Sequence, residues 1–232
     1  MTLTSSPADH RSIAATEVRT RARPVQLRIK RVIDLVLASL LLVGLAPLFV
    51  AVAVAIRLTS AGPVIFRQTR LGLDRRPFTV YKFRSMRVDA DPDVHRQFLI
   101  HQVELDSTGQ VDTIEHFKVV EDSRVTAVGR VIRRLSIDEL PQLVNVVLGE
   151  MSLVGPRPDV AYSLDTNRPH HFRRFQVLPG LTGLWQVSGR SRLSYLDMLD
   201  LDVAYADSWS LAQDIKILLR TVPVLARPDR AG

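Results

Sequence analysis

A chain of 232 residues is long enough for one core domain and an appendage. Its formal net charge of +7 calls for an anionic partner: nucleic acid, an acidic lipid surface or a phosphorylated substrate. The absence of cysteine excludes disulfides, thiolate zinc sites and a cysteine nucleophile, and 6% aromatic residues is thin for a platform that stacks single-stranded bases.

Residues 1–29 are polar, aperiodic and basic through Arg11, Arg19, Arg21, Arg23 and Arg28, which predicts a disordered arm. Its charge suits acidic lipids, and an inert tail explains the composition as well. Residues 30–58 follow as an apolar element. No charge lies between Leu35 and Ile56, a run long enough to cross a bilayer as a helix. Pro47, after Gly44, predicts a kink in it. Arg28, Lys30 and Arg31 precede the run; Arg57, Arg67 and Arg70 follow it. Cations favour the cytoplasmic side, so a helix that enters, bends at Pro47 and returns satisfies both flanks. A single span is the alternative. Asp34 can pair with Lys30 or Arg31 at helical spacing.

Residues 59–232 form the remaining domain. Val64-Ile65-Phe66 and Phe78 to Phe83 have strand character, and the LGLDRRP stretch between them has turn chemistry, which predicts a hairpin. Lys82 and Arg84 alternate with Tyr81 and Phe83 and so share one face, either a solvated edge or a phosphate clamp. Residues 87–122 read as a variable excursion with one helix near VHRQFLIHQVEL. His95 and His101 are not on one helix face, and they, like His170-His171, are read as surface residues in preference to metal ligands. Val125, Val128, Ile132 and Leu135 then recur at helical spacing.

The stretch LSIDELPQLVNVVLGEMSLVGPRP concentrates the chemistry. Ser136 and Glu139 form an S-x-x-E capping box, Leu140 to Val147 mark one helix face, and Gly149 is the expected stop. The same residues fit an anion site. A helix N-terminus favours phosphate and keeps a carboxylate ionised, as a nucleophile requires. Asp138 and Glu139 point in different directions on a helix, so one can attack while the other binds metal or manages a proton. Arg133 and Arg134 lie just upstream. Arg157 stands between two prolines on a stiff segment, ready to grip phosphate with both arms of its guanidinium, although a plain tight turn also explains GPRP. The LPGLTGLWQVSGRS stretch reads as a shaped loop without regular structure. The remainder reads as two helices meeting near Ser208-Trp209, the second with an apolar stripe of Leu211, Ile215, Leu218, Leu219 and Val222. Packing on the core is the default for that stripe, and lying in a membrane interface is the alternative.

Taken in order, KRVIDLVLASLLLVGLAPLF, GPVIFRQTRLG, FTVYKFRSM, VTAVGRVIRRLSIDELPQLVNVVLGEMSLVGPRP, PGLTGLWQVSGR and WSLAQDIKILLRTVP resemble the bacterial sugar transferases known as monotopic phosphoglycosyl transferases. The resemblance covers most of the chain from Lys30, leaving out the arm and the excursion. It implies an α+β fold: a re-entrant membrane helix broken at Pro47, a β-hairpin, and a small helical catalytic domain with amphipathic interface helices. The family's break is often Ser-Pro; here it is Ala46-Pro47. The implied reaction moves a sugar-1-phosphate from a nucleotide diphosphosugar, a UDP-sugar by family expectation, to polyprenyl phosphate. Asp138 matches the family's nucleophile and Glu139 its assisting carboxylate. Lys82, Arg84, Arg133 and Arg157 match its phosphate binders. Mg2+ is the implied cofactor, close to Asp138. The implied location is the cytoplasmic face of the bacterial inner membrane, with no nucleic-acid partner and with self-association open. The competing reading is a membrane-anchored basic binding or scaffold protein without chemistry. Asp138 and Glu139 count against it, because carboxylates repel a polyanion.

Overall fold

The computed structural model describes residues 24–88, 93–108, 124–189 and 193–226. The arm up to Arg23, parts of the 87–122 excursion and Arg190 lie outside them. Helix α1 (Pro24–Gly44) starts ahead of the expected Lys30, because proline is preorganised for a first helical turn. Helix α2 (Ala46–Thr59) follows after a 58° bend. The bend centres on Leu45, and Pro47 sits in the first turn of α2, where it has no N–H for the Val43 carbonyl. The Leu45 and Phe49 amides still donate to the Leu41 and Leu45 carbonyls, at 2.8 and 2.9 Å. No single helix among the described residues is long and apolar enough to cross a membrane; these two pass that test only as a bent pair.

Each helix of the pair has an inner and an outer face. Ala38 joins the main core with Leu143, Val146, Met151, Tyr205 and Ile217. Val52 and Ile56 pack with Phe83 and Ile132, and the Phe49 ring meets Phe83 edge-on at 5.4 Å. The outer faces leave Val36, Leu40 and Val43 of α1, and Val50, Val54 and Leu58 of α2, exposed.

The expected hairpin is present. Strand β1 (Ile65–Leu71) pairs antiparallel with β2 (Pro77–Phe83), Ile65 opposite Phe83 and Leu71 opposite Pro77. Helix α3 (Asp93–Thr108) is the helix expected in the excursion. Helix α4 (Ala127–Arg134) follows the Val128–Ile132 period and is capped by Thr126, whose Oγ1 accepts the Gly129 N–H at 2.9 Å. Gly129 serves a close approach: a Cβ there would collide with the Ser85 carbonyl oxygen.

The helix expected to begin with a capping box does not form that way. A 3-10 helix, Ile137–Gln142, leads into a short α5 (Leu143–Leu148). Ser136 is left-handed (φ 56°) and its side chain makes no cap bond. Pro141 has no N–H for the Ile137 carbonyl, so a regular α-turn cannot close there. The stop is as expected, with Gly149 left-handed at φ 84°.

The LPGLTGLWQVSGRS stretch is more regular than its glycines imply. Gly180–Thr182 forms β4, parallel to β3 (Ser152–Val154), and Leu184–Ser188 forms α6. Two 3-10 helices, Ala161–Thr166 and Pro169–Gln176, lie between the strands in sequence. Helices α7 (Tyr195–Ser208) and α8 (Leu211–Ala226) complete the mixed helix-and-strand fold. The default expectation for α8 holds in part, since Leu218 of the expected stripe packs against the core. Ile217 is the residue buried in the core, while Leu219 and Val222 of the expected stripe are 70% and 69% exposed.

Charged side chains of α1 fasten it to the rest. Lys30 Nζ donates to Asp214 Oδ2 of α8 at 2.6 Å and to the Val154 carbonyl at 3.0 Å. Asp34 accepts from Ser152 Oγ at 2.7 Å and from the Leu153 N–H at 3.1 Å, so its expected partner Lys30 stands farther off at 3.9 Å. Arg31 donates to the Val146 and Val147 carbonyls at 2.5 and 2.8 Å. Those carbonyls belong to the last turn of α5, where the Val146 oxygen also accepts the Gly149 N–H at 3.1 Å.

Candidate active site

The site forms where the 3-10 helix meets the hairpin and the loop after β3. Glu139 lies between two cations. Lys82 Nζ of β2 donates to its Oε1 at 2.9 Å, and Arg157 NH2 donates to the same oxygen at 2.6 Å. Arg157 NH1 reaches Oε2 at 3.4 Å. These bonds explain the lost capping box: two cations outcompete one backbone N–H for a carboxylate. They hold the Glu139 carboxyl well below the ordinary range, in spite of its burial.

Asp138 differs in every respect. It makes no hydrogen bond or ion pair among the described residues. Burial, and then the neighbouring Glu139 charge, push its carboxyl up to about 6, with Lys82, Arg133 and Arg157 pulling the other way. One carboxylate is thus locked as a counter-ion, and the other keeps its oxygens for a ligand. This splits the pair more sharply than adjacency in sequence does. Glu139 stays ionised at neutral pH and holds two cations in place.

Of the basic residues expected here, Lys82 and Arg157 are in the cluster. Arg133, in the last turn of α4, acts on Asp138 through its charge. Arg84 is elsewhere. Its guanidinium is buried and donates to the Ala61 carbonyl at 2.6 Å, and to the Ser60 carbonyl and hydroxyl at 2.9 and 2.7 Å. Alternation from Lys82 pointed to the clamp, but the carbonyls just past α2 claim the arginine.

Three residues not singled out from the sequence build the frame. Asn145 of α5, fully buried, accepts the Tyr81 N–H at 3.2 Å and donates to the Thr79 carbonyl at 2.6 Å. It clamps the outer edge of β2, and with it Lys82, to the helix that follows the carboxylates. Arg174, only 3% exposed, donates to Asp159 Oδ2 and Asp202 Oδ2, each at 2.6 Å, and to the Arg157 carbonyl at 2.7 Å. Its hold on that carbonyl fixes the backbone from which Arg157 reaches Glu139. Asp159 in turn accepts the Leu71 N–H through its backbone carbonyl at 2.7 Å, which ties the loop to β1. Arg70 is the third and lines the same cleft.

A second cluster, His170, His171 and Asp200, brings three ligand-type atoms within 4.8 Å of one another. It does not suit a metal. His171 is buried, not at the surface as expected, and its Nδ1 accepts the Arg168 N–H at 3.1 Å. The ring proton therefore sits on Nε2, which donates to Asp200 Oδ1 at 3.1 Å. A metal on Nε2 would move that proton to Nδ1, against a backbone donor. The cluster fastens α7 to the second 3-10 helix instead.

Comparisons with known proteins bear on the chain as a whole. A family model described as bacterial sugar transferase matches residues 25–228. The chain is 44% identical over 216 residues to a UDP-glucose:undecaprenyl-phosphate glucose-1-phosphate transferase of Caulobacter vibrioides, covering 89% of this chain and 73% of that protein. It is 37% identical over 207 residues to the exopolysaccharide production protein ExoY of Rhizobium meliloti, covering 88% of each. Identity to the galactosyl transferase CpsE of Streptococcus agalactiae is 41% over 199 residues, 84% of this chain and 42% of that longer protein. A match that runs through nearly all the described elements places the chain in the bacterial sugar transferase family.

Proposed function

We propose that the chain transfers a sugar-1-phosphate from a UDP-sugar to polyprenyl phosphate, through a phosphosugar carried covalently on Asp138. The observation that carries this is the split carboxylate pair: Asp138 unpartnered, Glu139 committed to Lys82 and Arg157. An Asp138 oxygen attacks the sugar-bearing phosphorus. The bond from that phosphorus to the bridging oxygen breaks, and its electron pair leaves with UMP. An oxygen of polyprenyl phosphate then attacks the same phosphorus, and the bond to Asp138 breaks to restore the carboxylate. The covalent stage keeps two mutually repelling anions from sharing the site. Lys82 and Arg157, preset by Glu139, face the charge that develops on the phosphoryl oxygens.

Magnesium suits these residues, since it takes hard oxygen ligands from one or two carboxylates and from substrate phosphates. With Glu139 occupied, Asp138 is the carboxylate that would hold it, and the bound ion would neutralise diphosphate charge.

The bent pair α1–α2, apolar on its outer face and flanked by cations at both ends, supports a re-entrant anchor in the cytoplasmic leaflet of the bacterial inner membrane. The exposed Ile215, Leu219 and Val222 of α8 support a helix lying in the same interface.

The test is UMP release by the purified chain with polyprenyl phosphate, Mg2+ and a panel of UDP-sugars. Release with one donor is expected, falling by at least ~10³-fold in Asp138→Asn. Release that survives in Asp138→Asn would sink the nucleophile assignment. No release from folded protein with any donor would sink the reaction and favour the binding or scaffold reading.

A further inference from the structure

We infer that Arg70 binds the phosphate that departs with the nucleotide, as the third cation of the cleft. This rests on the reaction proposed above and adds to it a residue that the sequence marks only as a flanking charge. Arg70 lies opposite Phe78 in the hairpin, and Lys82 lies opposite Phe66. Paired residues share a face and alternate residues stay on it, so Phe66, Gln68 and Arg70 face the same side as Phe78, Val80 and Lys82. That side opens into a cleft bounded by Arg70, Lys82, Gln142, Arg157 and Pro158.

Arg70 is held but not neutralised. Its Nε and NH2 donate to Gln68 Oε1 at 3.0 and 2.7 Å, and its NH1 approaches the Pro158 carbonyl at 3.4 Å. Among the described residues it has no carboxylate partner, whereas Lys82 and Arg157 both spend themselves on Glu139. The neutral Gln68 oxygen sets the plane of the guanidinium and leaves further N–H donors for an anion. Burial and the Arg157 charge also disfavour the protonated form, a cost that a bound anion removes.

Position selects the departing phosphate. The strongest charges on Asp138 come from Glu139, Lys82, Arg133 and Arg157. Those on Arg70 come from Arg157, Asp159, Tyr162 and Glu139. Lys82 and Arg157, whose charges act on both groups, line the cleft together with Arg70, while Asp138 is not part of that lining. Phosphoryl transfer places attacking and leaving oxygens roughly in line. With Asp138 attacking from one end, the leaving oxygen and the nucleotide phosphate behind it lie toward Arg70.

The test uses UMP as the probe in the full-length Asp138→Asn protein, where no turnover complicates binding. Calorimetry should show UMP affinity about 10- to 100-fold weaker when Arg70→Gln is added, with Arg70→Lys in between. In the active background, Arg70→Gln should raise the donor KM and weaken product inhibition by UMP to a similar extent, with the polyprenyl phosphate KM unchanged. Unchanged UMP affinity, or a rise confined to the polyprenyl phosphate KM, overturns the inference. If Arg70→Gln unfolds, Arg70→Lys decides: wild-type affinity for UMP overturns it. Arg70-dependent UMP binding in a chain that never releases UMP from any donor would uphold this site while removing the reaction.

Discussion

At the residue scale, the chemistry turns on two neighbours with opposite environments. In the proposed reaction attack requires ionised Asp138, and its carboxyl is raised to about 6. The raised value means that the reactive form is lost as pH falls through that point. Log kcat/KM for the donor should therefore rise with unit slope below about pH 6 at limiting Mg2+ and level off above it, with the midpoint moving lower as Mg2+ on Asp138 approaches saturation. Glu139→Gln removes the charge that ranks just after burial in raising Asp138. The midpoint should then move to lower pH, while the rate falls about 10²-fold because Lys82 and Arg157 lose their anchor. An unmoved midpoint would mean that another group titrates. Much of this site was legible in the chain. Asp138, Glu139, Lys82 and Arg157 all sit in short distinctive stretches. Arg84 misled because alternation gives the face of a strand but not the acceptors within reach of a long side chain. Arg174 was invisible because its partners, Asp159, Asp202 and the Arg157 carbonyl, are distant in sequence or belong to the backbone.

At the element scale, periodic segments declared themselves and short ones did not. The hairpin, α4 and the α7–α8 pair each carry a repeat or a turn signal. Strands β3 and β4 are three residues long, too short for alternation to register, and their pairing depends on partners that local pattern cannot name. The start of α5 was misplaced because the capping signal belonged to a carboxylate with better partners. Asn145 shows how much one buried amide holds at this scale. Asn145→Ala leaves the Tyr81 N–H and the Thr79 carbonyl without their partner, which costs about 2–4 kcal/mol. The thermal midpoint should drop by roughly 5–15 °C, with donor turnover retained at low temperature. A midpoint equal to wild type would show that β2 is held by other contacts.

At the scale of the whole molecule, the bent helix pair is part of the same fold as the candidate site. Ala38 sits in the main core, and α1 caps α5 through Arg31. The proposed topology is directly testable because the chain has no cysteine to confound labelling. Gln26→Cys and Ser60→Cys, one at each end of the bent pair, should both react with a membrane-impermeant maleimide only in inside-out vesicles. Opposite sidedness for the two would establish a single span and overturn re-entry. The polar fastening of α1 also has a history within each molecule. The ribosome delivers Lys30, Arg31 and Asp34 well before their partners, since Val146 follows Arg31 by 115 positions and Asp214 follows Lys30 by 184. Until those partners are made, the charged face of the helix has none of these bonds. Asp214 comes last among them, so the joint between the first helix and the rest of the fold closes only after α8 has been added.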